Sequence, residues 1–313
     1  MAAVDDSLVV FSGSSHPDLA RAICDRLGVP VGKVFSHRYP NDNLFVQIHE
    51  NVREKDVFVV QTAAPPVDSM VMELLIMMDA LRSASARRIT AVLPFYPYAR
   101  SDKKDMPRIS ITARLMANLL QAAGANRVLT MTLHSPQIHG FFDVPMDHLL
   151  STNLLCGYFG ERDLSEYVAV APDAGSAKRA GAYAEQMRIP LAIGDKRRVN
   201  ETVEIVGIVG DVKGKRVIVF DDEIATAASL MELVRALEKV GVQEIYAAAT
   251  HGVFCGPAIE RIAQSQVKEV IVTDTLPFPP EKRIDKIRVV SVAPLFAEAI
   301  KRIHTGESVS SLF

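Results

Sequence analysis

Short apolar runs alternate with amphipathic stretches along the whole chain. Each run has about four to eight residues, which is the usual length of a buried strand. The runs that predict strands are LVVFS (8–12), VFVVQ (57–61), ITAVLPF (89–95), RVLTMT (127–132), YVAVAP (167–172), RVIVF (216–220), EIYAAAT (244–250) and EVIVT (269–273).

The stretches between these runs carry apolar residues at the spacing of an amphipathic helix. They predict helices over 16–27, 67–82, 110–123, 174–187, 226–240 and 257–265, and a final helix over 293–304. Strands and helices that alternate in this way are typical of an α/β fold with a mostly parallel sheet.

An internal match indicates that the chain contains two copies of one unit. Segment 109–134 can be laid over segment 226–251 at a constant offset of 117 residues. Both segments then read as a helix, a glycine, a buried strand and a histidine, with His134 opposite His251. Few side chains are identical, but the shared order of features favours a duplicated α/β unit.

The length of 313 residues suits two domains of about 150 residues each. We therefore predict a first domain over 1–148 and a second domain over 149–292. We expect the C-terminal segment 293–313 to pack back on the first domain.

Composition narrows the class of protein further. Hydrophobic residues make up 49% of the chain, and the formal net charge is −2. This charge argues against a general nucleic-acid binder but leaves room for a local basic site for a phosphorylated small molecule.

Cys24, Cys156 and Cys255 stand singly, without the spacing of a zinc site, so we expect structural thiols. No basic leader segment and no apolar run of membrane-spanning length is found, so we expect a cytoplasmic protein without a membrane partner.

The stretch FDDEIATAAS (220–229) places two adjacent carboxylates between a predicted strand and a predicted helix. Ionised carboxylates accept hydrogen bonds, which suits the vicinal hydroxyls of a ribose, so Asp221 and Asp222 are candidate sugar ligands. The unpaired N–H groups of a helix start favour an anion, and Thr226 and Ser229 add hydroxyl donors for a phosphate. The alternative is that Asp222 caps the helix and Asp221 is solvated.

Several motifs together resemble those of the ribose-phosphate pyrophosphokinases (phosphoribosyl pyrophosphate synthetases). The strand, the acid pair and the small-residue turn at 216–229 are similar to the ribose-phosphate motif of the type I phosphoribosyltransferase fold. Other motifs of the family occur in its order: YARSDKKDMPRISITARLMANLL (98–120), TLHSPQIHGFFDVPMDHL (132–149), VAPDAGSAKRA (170–180), GDKRR (194–198) and ATHGVFCGPAIERI (249–262). They cover nearly the whole chain, and the resemblance implies two duplicated three-layer α/β domains of this fold, each with a mostly parallel central sheet.

The resemblance also implies a reaction. Members of this family transfer the β,γ-diphosphoryl group of ATP to the anomeric hydroxyl of ribose 5-phosphate, yielding AMP and phosphoribosyl pyrophosphate, and they require Mg²⁺. Lys196 and Arg198, on a polar loop, match the positions that neutralise charge on the transferred phosphates. His134 and Asp173 match the metal-linked positions. Without the resemblance, the two basic residues would be interpreted as a solvated turn.

The ATP-binding residues that the resemblance implies lie in two segments of the first domain. In the segment that supplies adenine contacts, Asn41 and Asn43 stand where the family often has acids. Their amides can donate to and accept from a base, although two asparagines are equally typical of a turn. The nucleotide loop contributes Arg100, Ser101, Asp102 and Lys103.

The ribose 5-phosphate site that the resemblance implies departs from the family at two positions. The family usually has Asp at position 225 and Gly at position 228, where this chain has Ala225 and Ala228. The second change is tolerable if Ala228 has a negative φ, because its backbone N–H donor is kept. The implied site comprises Asp221, Asp222, Ala225, Thr226, Ala227, Ala228 and Ser229.

The family further implies self-association as hexamers built from dimers, with phosphate and ADP as effectors. Two other functions stay open. One is a catalytically weak regulatory or scaffolding homologue, and the other is a phosphoribosyltransferase that consumes phosphoribosyl pyrophosphate. The retained acidic and basic site residues favour an enzyme over the first, and the duplicated domains with a nucleotide loop argue against the second.

Overall fold

The chain forms two compact units. The computed structural model describes residues 5–199 and 202–312, with the backbone alone at 197–199 and 202–205. The first unit runs to Leu150 and also includes Thr275–Pro277 and the chain from Val292 onward, and the remainder forms the second. The predicted boundary at 148/149 falls two residues before Ser151, where the second unit begins. Thr275–Pro277, which the sequence analysis assigned to the second domain, belong to the first unit, where the Thr275 carbonyl accepts a 2.6 Å hydrogen bond from the Thr62 hydroxyl.

The first unit is built on a six-stranded parallel sheet of order β2-β1-β5-β6-β7-β8. The third and fourth strands instead form a separate antiparallel hairpin. The elements are β1 (Leu8–Ser12), α1 (Pro17–Leu27), β2 (Val31–Gly32), β3 (Val34–Arg38), β4 (Leu44–Ile48), β5 (Asp56–Val60), α2 (Val67–Ser83), β6 (Arg88–Leu93), α3 (Thr112–Ala122), β7 (Arg127–Met131) and β8 (Met146–Leu149).

The second unit carries a seven-stranded sheet of order β11-β10-β9-β12-β13-β14-β15. All neighbouring strands are parallel except β10 and β11, which pair in antiparallel fashion. The elements are α4 (Thr152–Phe159), β9 (Tyr167–Ala171), α5 (Ala177–Met187), β10 (Leu191–Val199), β11 (Thr202–Val209), β12 (Arg216–Ile224), α6 (Ala228–Val240), β13 (Glu244–Gly252), α7 (Ala258–Gln264), β14 (Val267–Thr273) and β15 (Ile287–Val290).

The central strands of the second unit are buried on both faces. Along β12, Val217 and Val219 pack into one hydrophobic cluster, whereas Ile218 and Phe220 pack into another. Successive strand residues point to opposite faces, so the two clusters lie on the two sides of the sheet. Helices α6 and α7 contribute to the first cluster and α4 and α5 to the second, which gives three layers. The predicted α/β class with mostly parallel central sheets is confirmed.

The C-terminal helix α8 (Ala293–Thr305) belongs to the first unit and packs against α1. Two contacts fix its end to the sheet. The Nη2 atom of Arg88 donates to the carbonyl of Ile303 at 2.9 Å, and Nδ1 of His304 lies 2.9 Å from Oδ2 of the fully buried Asp56.

The duplicated order of elements is present in the structure. Strands β5-β6-β7-β8 and β9-β12-β13-β14 are consecutive in their two sheets. Gly124 and Gly241, which occupy the same position in the sequence match, follow α3 and α6 and have φ angles of 112° and 85°. Glycine suits both turns because this backbone conformation is costly for other residues.

Every strand and helix predicted from the sequence is found, with ends that differ by a few residues. The predicted polar loop at 194–198 is wrong, because these residues lie in β10 and pair with β11. The hairpin strands β3 and β4, the helix α4 and the strands β2, β8, β11 and β15 have no counterpart in the prediction. Among the described residues, no helix is both long enough and apolar enough to cross a membrane.

Candidate active site

The carboxyl edge of the second sheet gathers the candidate catalytic and sugar-binding residues. From β9 the chain passes to β10 on one side and, after the β10–β11 hairpin, to β12 on the other. Ligands of open α/β sheets bind beyond the carboxyl ends of the strands at such a switch point. Asp173 follows the end of β9, Lys196 lies on β10 beyond its pairing with β9, and Asp222 lies near the end of β12.

Asp221 and Asp222 converge on one arginine. Their side chains would diverge on a regular strand, but Oδ1 of Asp221 turns along the chain and accepts the N–H of Asp222 at 2.9 Å. The Nη2 atom of Arg179 lies 3.1 Å from Asp221 Oδ1 and 2.9 Å from Asp222 Oδ1. Both acids lie in β12, which continues to Ile224, so the prediction that they follow the strand is wrong.

The environment of the acid pair favours a proton on it. Burial raises the pKa of Asp221 above its ordinary value, and the neighbouring carboxyl of Asp222 raises it further. Arg179 opposes this shift because a nearby cation stabilises the ionised form. Asp222 is only 4% exposed. The alternative in which Asp222 caps the following helix is wrong, because Ala227 is the residue at the cap of α6.

Asp173 occupies a tight turn between β9 and α5. Its Oδ1 accepts the N–H of Ser176 at 3.0 Å, and the Ser176 hydroxyl donates to its carbonyl at 2.9 Å. Its Oδ2 lies 3.6 Å from Nζ of Lys196. A Cβ at Gly194 would lie 2.6 Å from the carbonyl oxygen of Pro172, so glycine allows β10 to approach this turn closely. The backbone of Arg198 belongs to β10, and its side chain is outside the described part of the structure.

The small-residue turn leads directly into α6. Ala227 has a φ of 58° and is buried, whereas Ala228 begins the helix and is not among the residues with positive φ. Alanine is therefore tolerated at position 228, because its φ is not positive. The strained left-handed conformation falls on Ala227 instead. Thr226 and Ser229 are exposed, and no described side chain caps the helix. The first-turn N–H groups are thus open to an anion.

A neighbouring loop holds this turn in place through its carbonyl groups. The N–H groups of Phe254 and Cys255 donate to the carbonyls of Ile224 and Ala225, each at 3.0 Å. Nη1 of Arg261 donates to the carbonyl of Thr226 at 2.8 Å. Because the carbonyls are bound from one side, the N–H groups are fixed in direction, as an anion site requires.

The predicted nucleotide loop and His134, one of the two residues predicted to be metal-linked, lie in the first unit. Arg100 and Lys103 are exposed, and Asp102 is half-buried. Ser101 closes the loop, because its Oγ accepts the N–H of Thr112 at 3.3 Å at the start of α3 and donates to the Ser110 carbonyl at 3.1 Å. The exposed His134 follows the end of β7. His134 and Asp173 therefore belong to different units.

Asn41 and Asn43 lie in the turn of the β3–β4 hairpin. Oδ1 of Asn41 accepts the N–H of Asn43 at 3.3 Å, and the N–H of Tyr39 donates to the Asn43 carbonyl at 2.9 Å. These bonds support the turn-forming interpretation of both asparagines, while their exposure leaves the ligand interpretation open.

One face of this hairpin carries exposed aromatic rings. Phe35 is 48% exposed and Tyr39 is 45% exposed, and neighbouring ring centroids are 5.4–6.5 Å apart. The opposite face contributes Val34, Val46 and Ile48 to the core. The rings on the exposed face are Phe35, His37, Tyr39, Phe45 and His49.

A polar cavity of about 470 Å³ lies beside the hairpin and contains none of the predicted site residues. The buried Glu73 in its lining accepts hydrogen bonds from Ser14 and Gln61 through Oε2. We interpret the cavity as a gap under the hairpin whose buried carboxylate is held by its neighbours.

The residues that could hold a metal form a sparse set. Among residues 5–199 and 202–312, no three His, Cys, Asp or Glu side chains come together as a metal cluster. Mg²⁺ keeps several waters and takes oxygen ligands from substrate phosphates, so a single carboxylate such as Asp173 is compatible with it.

Sequence reasoning missed Arg179, although it quoted the segment that contains it. A lone arginine in an amphipathic helix carries no signal of its own. Arg179 lies in the first turn of α5, which follows β9. Its closeness to the acids of β12 could be expected only if β12 were known to be the neighbour of β9 in the sheet.

Comparisons with known proteins show the family of this chain. A family model described as the N-terminal domain of ribose phosphate pyrophosphokinase matches residues 8–124, and one described as a phosphoribosyl synthetase-associated domain matches residues 203–313. The ribose-phosphate pyrophosphokinase of Deinococcus radiodurans is 54% identical over 313 residues, with 98% of both chains covered. That of Caldanaerobacter subterraneus is 52% identical over 315 residues, with 100% of both chains covered.

A solved structure gives the same result. The crystal structure of phosphoribosylpyrophosphate synthetase from Mycobacterium smegmatis matches with a TM-score of 0.91 at 43% identity, covering 96% of this chain and 99% of that chain. Both sequence and fold agree over almost the full length, so the chain belongs to the ribose-phosphate pyrophosphokinase family.

Proposed function

We propose that this protein is a ribose-phosphate diphosphokinase that makes phosphoribosyl pyrophosphate from ATP and ribose 5-phosphate for nucleotide biosynthesis. The observation that carries the proposal is the gathering of Asp173, Lys196, Asp221 and Asp222 at one sheet edge beside an uncapped helix start. The full-length relatives of the same name support it.

The reaction moves a diphosphoryl group. The anomeric oxygen of ribose 5-phosphate forms a bond to the β-phosphorus of ATP and loses its proton to solvent. The bond between this phosphorus and the oxygen bridging to the α-phosphorus breaks, and AMP leaves with the electron pair. Catalysis of such a transfer rests on positioning and on neutralising charge.

The second unit supplies the sugar site in this proposal. Asp221 and Asp222 accept hydrogen bonds from the ribose hydroxyls, and the N–H groups at the start of α6, with Thr226 and Ser229, bind the 5-phosphate. Ala225, Ala227 and Ala228 line the turn without polar side chains, so the backbone carries the phosphate contact.

Cations complete the site. Lys196 and Arg198 are the proposed catalytic residues, with side chains that stabilise negative charge on the transferred phosphates. Asp173 would hold Mg²⁺ in the second unit, and His134 stays the proposed metal-linked residue of the first unit. The metal would supply further neutralisation of the ATP phosphates.

The first unit supplies the nucleotide site. Arg100 offers planar donors for phosphate, and Lys103 offers a mobile charge. Asp102, Ser101, Asn41 and Asn43 are the remaining proposed ATP-binding residues, and the exposed rings of the hairpin offer flat surfaces for adenine.

Assembly and regulation are part of the proposal. We expect a homo-oligomer, a hexamer built from dimers, with phosphate and ADP as effectors. The cytoplasm stays the predicted compartment.

The test separates this function from a catalytically weak homologue. AMP is quantified by chromatography after incubation with Mg²⁺-ATP, with and without ribose 5-phosphate. We expect AMP to form only when the sugar phosphate is present. A folded protein that binds both substrates but releases no AMP would instead be the regulatory homologue.

A further inference from the structure

The contact between Arg179 and the acid pair is the strongest feature of the site that no sequence motif had assigned. Arg179 projects from α5, and its Nη2 atom bridges Oδ1 of Asp221 and Oδ1 of Asp222 at 3.1 and 2.9 Å. We propose that Arg179 is a positioning residue, which holds the two carboxylates convergent so that both face the hydroxyls of one ribose. This inference rests on the proposed function.

The convergence needs an external support. Adjacent residues within a strand direct their side chains to opposite faces, and β12 continues through both acids to Ile224. The hydrogen bond from the Asp222 N–H to the Asp221 carboxylate bends one side chain along the strand. Two carboxylates so close repel each other, so a shared cation is what stabilises the arrangement.

The support comes from a rigid element. Arg179 lies in the first turn of α5, which packs on β9 and β12. Ala180 and Tyr183 of the same helix are buried in the cluster beneath, and Tyr183 stacks on Phe220, next to Asp221, with ring centroids 4.2 Å apart. The guanidinium is thus fixed relative to the strand that carries the acids.

The Arg179 side chain is largely buried beside the acid pair. Its side chain is 25% exposed, and its Nε is buried without a hydrogen-bond partner among the described residues. A buried donor without a partner costs free energy of folding. We infer that the Nη2 contacts or a bound ligand offset this cost at Arg179. A lysine on the surface would not carry this cost, because water would satisfy its donors.

Other charged or titratable residues also lie on this strand and on the elements beside it, and Glu223 follows the pair directly on β12. Of the elements beside this end of β12, the segment after β9 contributes Asp173 and β13 contributes the buried His251. Arg179 contacts both acids, so its removal leaves two adjacent carboxylates with less counter-charge. The pair then holds its proton to still higher pH, and a protonated carboxyl donates where an ionised one accepts.

The test uses the full chain and two substitutions. In Arg179→Met the charge is lost at similar length, and in Arg179→Lys the charge is kept but the planar donors are lost. Lys178→Ala, an exposed neighbour on α5, is the matched control. KM for each substrate, the pH profile of kcat/KM for ribose 5-phosphate, and direct binding of ribose 5-phosphate by calorimetry are measured.

We expect Arg179→Met to raise KM and Kd for ribose 5-phosphate by about 10- to 100-fold, the range for a hydrogen bond to a charged group. KM for ATP should stay within about twofold, and the acidic limb of the pH profile should move to higher pH. Arg179→Lys should restore the position of that limb and part of the affinity, and Lys178→Ala should behave as the wild type.

Unchanged ribose 5-phosphate affinity and pH profile in folded Arg179→Met, with an active wild type, would overturn the positioning role alone. If Arg179→Met fails to fold, an Arg179→Lys variant with full wild-type affinity for ribose 5-phosphate would count against the need for the planar guanidinium and overturn the proposal. A wild type that neither binds nor converts ribose 5-phosphate would overturn the proposed function together with this inference.

Discussion

The ammonium nitrogen of Lys196 lies 3.6 Å from Oδ2 of Asp173, so a proposed catalytic cation rests against the proposed metal ligand. The two side chains are 31% and 36% exposed, and ion pairs at such exposure contribute little to stability. The contact is easily exchanged for contacts to a metal and to phosphate oxygens. The pair therefore marks where the transferred phosphates are expected to lie.

Lys196→Ala should lower kcat by about 10³-fold or more, because it removes a fixed cation from a transition state whose charge must be neutralised. Affinity for ribose 5-phosphate should hardly change, since the proposed sugar contacts lie on β12 and at the start of α6. Steady-state kinetics and calorimetry measure the two effects. Lys213→Ala, an exposed lysine in the turn before β12, is the control. Full turnover in Lys196→Ala would show that the lysine is wrongly assigned.

The strained turn can be tested with two glycines. Ala227 has a φ of 58° and Ala228 begins α6. Both substitutions to glycine remove one methyl group and add the same chain flexibility, but only Ala227→Gly relieves a left-handed alanine. We expect Ala227→Gly to have a free energy of unfolding about 1–2 kcal/mol above that of Ala228→Gly. Chemical denaturation measures this difference, and equal or reversed stabilities would contradict the assigned backbone.

Close packing of β10 on the Asp173 turn predicts a sharp effect at Gly194. A Cβ there would lie 2.6 Å from the carbonyl of Pro172, so Gly194→Ala should destabilise the protein by about 1–3 kcal/mol and reduce turnover by displacing Asp173. Gly207→Ala is the matched control, because a Cβ at Gly207 meets nothing within 4 Å. Thermal unfolding and activity are compared, and two variants that both resemble the wild type would rule out the close approach.

The raised pKa of Asp221 predicts a pH-dependent stability. Because this pKa rises from 3.8 to about 8 on folding, the native state binds the proton more tightly. Stability from this group is full below about pH 4 and is lost as the pH rises to about 8. Asp221→Asn, which cannot titrate, should therefore gain stability relative to the wild type as the pH rises through this window. We expect on the order of 1–2 kcal/mol, a reduced figure because the side chain is 32% exposed and solvent screens it.

Unfolding free energies of both proteins at about pH 5 and about pH 8.5 provide the measurement. Asp211→Asn, at an exposed aspartate of the same unit, controls for general charge effects. A gain that is equal at the two pH values, or larger at the lower one, would contradict the direction of the shift.

The sequence predicted the central strands and their helices well because those elements have strong patterns. RVIVF and EIYAAAT are apolar at nearly every position, as strands buried on both faces must be. The 194–198 part of the β10–β11 hairpin was predicted as a loop, because Asp195–Arg198 are polar and charged and gain their strand conformation from pairing with β11 at the sheet edge. Pairing partners at an edge leave little trace in local composition.

The sequence suggested individual residues of the candidate site but not the contacts between them. Asp221, Asp222 and Lys196 could be proposed as site residues because their motifs are contiguous in sequence. Arg179 could not, because its partners are more than forty residues away and its role depends on where α5 packs. Likewise, only the backbone shows that strain in the turn falls on Ala227 instead of Ala228.

The central claim is that a β,γ-diphosphoryl group moves from ATP to the anomeric oxygen of ribose 5-phosphate. Phosphorus NMR of a reaction containing the protein, Mg²⁺-ATP and ribose 5-phosphate follows this transfer directly. We predict that AMP and a sugar bearing a diphosphate at C1 form in equal amounts. Formation of ADP with a singly phosphorylated C1, or unchanged ATP in the presence of folded protein, would contradict the claim.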